Sequence, residues 1–174
     1  MEKKLQLFVY ADKNKCIGCR ACEVACSSVH SGQSGHTVGS LQGEIMPRLF
    51  FVRTEEESMP IQCHHCEAAP CLQSCARGAI RIAEQKVIVD EVLCVGCKSC
   101  IAACPFGAIE ILKTKNKSGF AGKCDLCRQR EEGPACVEVC PAKALRCVDL
   151  LAEGKSKRIS AAKALTAVRQ SLVR

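Results

Sequence analysis

Four runs of cysteine carry the chemistry this chain could do. Cys94, Cys97, Cys100 and Cys104, followed by Pro105, have the spacing C-x2-C-x2-C-x3-C-P. Three thiolates at that spacing wrap one loop around a cubane iron–sulfur cluster, and the fourth, as the chain turns into a helix, faces a second cluster. One such run therefore implies another. Cys16, Cys19, Cys22 and Cys26 repeat the spacing. Cys63, Cys66, Cys71 and Cys75 repeat it with a longer third gap. In Cys124, Cys127, Cys136 and Cys140 that gap is longer still, and Pro141 follows. Sixteen of the 17 cysteines fall in these sets, so four [4Fe–4S] clusters are expected. Zinc also takes paired C-x2-C, but here the third cysteine lies too close and the fourth is surplus to a tetrahedral site. A zinc-structured binding module is the weaker reading.

Other residues within the runs have bland readings beside functional ones. Gly18 and Gly96 leave room for backbone N–H groups to approach sulfur. Arg20 and Lys98, between cysteines, either raise a cluster's potential or are plain solvated charges. His64 and His65 stand between Cys63 and Cys66; with four cysteines already present, hydrogen bonding and packing are the favoured role over ligation or proton transfer. The seventeenth cysteine, Cys147, aligns with Ile82 and Ile111 and is expected to be a buried apolar residue on a strand. No phosphate-binding glycine loop or nucleophile–base set is present, so the chain is expected to be a non-catalytic carrier of electrons.

The elements that must position these cysteines repeat as well. Strands are expected at residues 5–10 and 49–52, a helix from Cys19 to His30, a glycine-rich loop over 31–43, and a solvated run at Glu55-Glu56-Glu57. Ile80 and Ile82 alternate against Val87 and Val89 as a hairpin. Asp12 and Asp90 each stand four residues before a cysteine run. Gly78-Ala79-Ile80-Arg81-Ile82 recurs as Gly107-Ala108-Ile109-Glu110-Ile111 and as Lys143-Ala144-Leu145-Arg146-Cys147. The gap between Cys75 and Cys94 holds a complete hairpin, as in a two-cluster ferredoxin, so the second and third runs pair and the first and fourth are left to pair. Sequential pairing, first with second and third with fourth, is the alternative. The expected fold is α+β: two ferredoxin-like modules, one (57–113) inserted in the other (1–56 and 114–150), plus a C-terminal helix.

Composition agrees. A cysteine in every ten residues, with 3% aromatics and no Trp, means metal, clusters or disulfides in place of a large apolar core. The start resembles neither a signal peptide nor a twin-arginine leader and no segment is long enough to span a membrane, so a cytoplasmic protein without membrane insertion is expected. The formal charge of +7 counts every Cys as neutral. Four clusters at about −2 each would offset it, so the basic excess compensates clusters and does not indicate nucleic acid.

The chain resembles the four-cluster iron–sulfur subunits of molybdopterin oxidoreductases. It is most similar to the small electron-transfer subunits of formate hydrogenlyase and hydrogen-dependent carbon dioxide reductase, with the carbon monoxide dehydrogenase-linked polyferredoxins close by. The resemblance covers about residues 5–150. It is carried by the run Cys16 to Cys26, by Gln62-Cys63-His64-His65-Cys66-Glu67-Ala68-Ala69-Pro70-Cys71, by Lys123-Cys124-Asp125-Leu126-Cys127 and by Gly133-Pro134-Ala135-Cys136. It implies the same crossed ligation as the pairing above. Cys16, Cys19 and Cys22 would share a cluster with Cys140, and Cys124, Cys127 and Cys136 with Cys26. Cys63, Cys66 and Cys71 would share one with Cys104, and Cys94, Cys97 and Cys100 with Cys75. The implied partners are a molybdenum or tungsten formate dehydrogenase catalytic subunit and a hydrogenase subunit, with other copies of the relay subunit or a paralogue in a filament. An independent polyferredoxin serving carbon monoxide dehydrogenase or another oxidoreductase is the alternative.

Beyond the last run, residues 155–174 hold six cations and no acid. Ile159, Ala162, Leu165, Val168 and Leu172 recur at helical steps. An amphipathic basic helix is expected there, with Ser156 as N-cap and the apolar stripe as a partner-binding face. A helix folded back on its own body is the bland alternative.

Overall fold

The computed structural model describes residues 7–32, 39, 44–114 and 117–172. Its elements in chain order are β1 (Leu7–Ala11), α1 (Ala21–Ser31), β2 (Phe50–Arg53), β3 (Ser58–Ile61), α2 (Pro70–Gln73), β4 (Ile80–Ala83), β5 (Lys86–Val89), α3 (Ser99–Ala103), β6 (Glu110–Thr114), β7 (Lys117–Gly122), α4 (Ala135–Glu138), β8 (Leu145–Asp149) and α5 (Leu150–Leu172). The strands form four antiparallel two-stranded ribbons. Three are local hairpins: β2–β3, β4–β5 and β6–β7. The other joins the two ends of the body, with β1 on β8 in the register Val9 opposite Cys147. The helices pair to match, α1 against α4 and α2 against α3.

A repeated set of turns explains why these residues make these elements. Asp12 N–H donates to the Ala144 carbonyl at 2.8 Å, and Asp90 N–H to the Ala79 carbonyl at 2.7 Å. Each Asp side chain then accepts the amide two residues on, and each Asp carbonyl takes the N–H of the first cysteine of its run at 3.1 Å. After the last cysteine of three runs, a left-handed residue lets the chain turn back into a strand: Gly78, Gly107 and Lys143, at φ +62°, +61° and +49°. The same turn is thus built where the first run meets the fourth and where the third meets the second.

The apolar core is divided and incomplete without the cysteines. One group gathers Val9, Leu49, Leu126 and Leu145 around Cys22, Cys26, Cys124 and Cys136. The other gathers Ile80, Val87 and Ile109 around Cys71 and Cys100. Such a core depends on whatever the thiols bind.

Several expectations change. The Glu55-Glu56-Glu57 run is the tip of a hairpin whose second strand, β3, the alternation pattern does not reveal. The ribbons β2–β3 and β6–β7 each span an expected module boundary, at 56/57 and 113/114. Cys147 is exposed, and so is its counterpart Ile82 at 50%. Ile80 and Leu145, next to the cysteine loops, are buried, but burial does not carry two residues on: in β8 it passes instead to Val148. The terminal helix starts at Leu150, not beyond Gly154, because Asp149 Oδ1 accepts the N–H of Leu151 at 2.9 Å and of Ala152 at 3.2 Å. Gly154 and Ser156 lie inside α5. A bidentate Arg146–Glu153 pair ties its first turn to β8. Ile159 and Ala162 are exposed, while the side chains of Leu165, Val168 and Leu172 lie outside the described set. Most of the expected loop over 31–43 is also outside it. Among the described residues, no helix is long and apolar enough to cross a membrane.

Candidate metal centres

The structure brings the sixteen cysteines together in four groups, each drawn from two runs. One cavity is lined by Cys16, Cys19, Cys22 and Cys140. A second is lined by Cys63, Cys66, Cys71 and Cys104. A third is lined by Cys75, Cys94, Cys97 and Cys100. Cys26, Cys124, Cys127 and Cys136 are all buried, and the thiols of Cys26 and Cys127 bear electrostatically on Cys136. In every group the last cysteine of one run joins the first three of the partner run.

The loops are shaped to face sulfur. The third residue of each C-x2-C-containing loop is left-handed: Gly18 at φ +71°, His65 at +48°, Gly96 at +66° and Leu126 at +59°. Two are glycine, for which this is free. The two others store backbone strain of about 1–3 kcal/mol each, as functional sites often do. The strain turns their amides inward. His65 N–H points at Cys63 Sγ at 3.3 Å, and Leu126 N–H at Cys124 Sγ at 3.4 Å. More distant segments do the same: Arg48 N–H to Cys26 at 3.2 Å, Ala121 N–H to Cys94 at 3.3 Å and Ala144 N–H to Cys140 at 3.3 Å. Amide donors aimed at sulfur suit thiolates that carry negative charge in a cluster.

Several of the buried thiols by themselves resist that charge. Burial, then the neighbouring Glu23, pushes Cys22 up to about 12, and burial pushes Cys71 up to about 11. Cys124 and Cys136 are also raised, again chiefly through burial. Thiols raised in this way by burial ionise when a cation shares their site. The donor set therefore fits a thiolate-bound iron–sulfur centre, in which the iron supplies that cation.

The surrounding side chains divide into ties and fillers. His64 stacks between Phe8 and Phe106, with ring centroids at 5.0 and 4.1 Å. His65 is buried and accepts Val87 N–H at Nδ1, so both histidines have the packing and hydrogen-bonding surroundings favoured for them. A network that sequence reading missed joins three segments. Asp125 accepts His30 Nε2 at 3.0 Å and Arg48 at 3.3 Å, and Arg48 also reaches Glu91 at 2.9 Å. Burial alone would lower His30, but the bonds to Asp125 and Cys26 overcome it and hold His30 up at about 9. Asp125 is held down at about 2 by His30 and Arg48, against its own burial. Only the spacing of His30 four residues after Cys26 on one helix face hinted at this contact.

Comparison with known proteins agrees with the donor chemistry. Residues 54–150 match a family model described as a 4Fe-4S dicluster domain, and residues 7–28 match a 4Fe-4S binding domain. The chain is 44% identical over 143 residues to YsaA of Escherichia coli (strain K12), covering 82% of this chain and 90% of YsaA. It is 41% identical over 169 residues to the electron transport protein HydN of the same organism, covering 90% of this chain and 94% of HydN. It is 42% identical over 173 residues to formate hydrogenlyase subunit 2 of that organism, covering 82% of this chain and 81% of the subunit. Of two longer E. coli relatives the chain spans only 24% and 21%.

Proposed function

The chain belongs to the 4Fe-4S dicluster domain family of electron-transport iron–sulfur proteins, and from that premise we propose that it relays single electrons through four [4Fe–4S] clusters held by the four mixed cysteine groups. A bound [4Fe–4S] cluster takes up and gives back one electron. The observation that carries this reading is the completion of three cavities, each by one cysteine from a distant run. The protein's own part is to hold the centres, solvate them with backbone amides and keep water from the inner ones. Exposure supports an order. The group of Cys16 and the group of Cys94 each include one exposed cysteine, Cys19 and Cys97, and the two remaining groups include none. The former would exchange electrons with partners and the latter would lie between them.

The pairing of β1 with β8 and α1 with α4 supports a ferredoxin-like module inserted into a split one. Drawn at ribbon ends, the inserted module runs from about residue 62 to 122. The name of formate hydrogenlyase subunit 2 supports partners from a formate hydrogenlyase, and the resemblance of the cysteine runs to that family supports a formate dehydrogenase-type catalytic subunit at one end and a hydrogenase at the other. Thiols that must stay reduced to hold iron support a cytoplasmic setting. Helix α5, with Ile159, Ala162, Leu165, Val168 and Leu172 as its apolar stripe, would dock on a neighbouring subunit, including a further relay copy in a filament.

Anaerobic reconstitution followed by iron and acid-labile sulfide analysis tests the count. About sixteen of each per chain is expected from four four-iron centres. A plateau at eight overturns the four-cluster reading. Affinity capture from anaerobic cells should retain a formate dehydrogenase-type subunit, and recovery of the relay alone would overturn the assignment to that complex.

A further inference from the structure

Two side chains that the cysteine groups do not use meet where the two halves of the body join. Lys123, only 2% exposed, donates from Nζ to the carbonyl of Val87 and to that of Cys124 at 2.8 Å. His65, 1% exposed, accepts the Val87 N–H at Nδ1 at 3.0 Å. One residue of β5 is thus gripped on both sides by the second and fourth runs. Among the described residues, no carboxylate forms an ion pair with Lys123. Because His65 Nδ1 is an acceptor, its proton sits on Nε2, and that buried N–H has no partner.

Both features are costly in isolation. A buried donor left unmade costs about 1–3 kcal/mol, and a buried unpaired charge more. They become reasonable if a negative group lies opposite. Their places in the chain say which. His65 stands between Cys63 and Cys66, and Lys123 directly precedes Cys124. The field of Lys123 reaches Cys66 and Cys71, and Cys63 bears on Cys124. The ammonium and the imidazole therefore lie at the join of the two groups that include no exposed cysteine.

We infer that Lys123 and His65 are positioning residues that raise the reduction potentials of the two inner centres, so that an electron crossing between the halves rests on that inner pair. The inference rests on the four-centre reading above. The physical cause is direct: a fixed cation and an N–H dipole in a dry site stabilise the centre that has gained an electron. An electron passing from an outer to an inner centre would leave the protons of both residues in place.

The test is a potentiometric titration of the reconstituted full chain, followed by electron paramagnetic resonance, on Lys123→Met, Lys123→Arg and His65→Asn. Asparagine tolerates the left-handed backbone and keeps an acceptor for Val87, but removes the Nε2 donor. Lys123→Met and His65→Asn should each shift two of the four centres to lower potential, leave the other two in place and retain full iron. Lys123→Arg should leave all four in place. Unchanged potentials at full iron, or an equal shift of all four centres, overturns the inference. Loss of iron in Lys123→Met also overturns it for Lys123, which would then be a residue of the fold; His65→Asn is judged by the same criteria on its own. Fewer than four centres in the unsubstituted protein would instead defeat the four-centre reading.

Discussion

At Gly96 the structure leaves little room for a side chain. Its φ of +66° is left-handed, and a Cβ there would come within 3.1 Å of the Gly119 carbonyl oxygen. Gly96→Ala is expected to destabilise the reconstituted protein by about 1–2 kcal/mol through backbone strain alone, and by more if the Gly119 carbonyl does not give way. Gly107→Ala, at a similar φ but in open space, should show only the strain. Chemical denaturation of the two variants separates the contributions, and equal losses would rule the clash out. The His30–Asp125 pair sets a pH dependence. His30 holds its proton more tightly folded, at about 9, than unfolded. Its contribution is therefore complete below its unfolded value and is lost as pH rises through about 9. Asp125 contributes above its unfolded value and loses that as pH falls through about 2. The unfolding midpoint should drop between pH 7 and 9.5, and Asp125→Asn should flatten that drop. A midpoint unmoved over this range would show the pair to be inert. Cys147, exposed on β8 and outside all four groups, should be replaceable: Cys147→Val is expected to keep full iron on analysis.

Helix α5 is the element whose role is least tied to the body. Its described residues up to Ala162 are mostly exposed, and its first turn is pinned by Asp149 and by the Arg146–Glu153 pair. Deleting residues 155–174 leaves those ties intact. The truncated chain should therefore load full iron and lose association with its partner or with further copies, as sizing chromatography of the reconstituted complex would read. Loss of iron on truncation would mean that the helix belongs to the core. The boundary itself illustrates how elements were legible. A serine with apolar residues at helical steps behind it is a sound N-cap signal, but the aspartate closing β8 satisfies the first amides sooner. Once started there, the helix absorbs Gly154 at a cost of about 1 kcal/mol.

For the molecule as a whole, the thiols are core and ligand at once. Both apolar groups are built around cysteines, and burial pushes several of those thiols well above their ordinary range. Without iron the chain would have to keep unscreened thiols together around a thin core. The metal-free chain is expected to lack a cooperative thermal transition by near-ultraviolet circular dichroism, and to gain one on reconstitution. A cooperative melt of metal-free protein would show that the apolar groups suffice.

The sequence by itself determined which residues could meet and with what chemistry. The thiolate spacing is local, because a single loop must reach three corners of one cluster. The internal repeat was equally legible, and the hairpin between the second and third runs left the first run to pair with the fourth. What the tertiary structure alone decided is non-local. The burial of Lys123 and His65 on either side of Val87 and the Arg48 bridge from Asp125 to Glu91 depend on segments 22 to 77 residues apart, and the outward face of Cys147 on how β8 packs. No periodicity records such contacts, because their energies come from desolvation and charge once the chain has already packed.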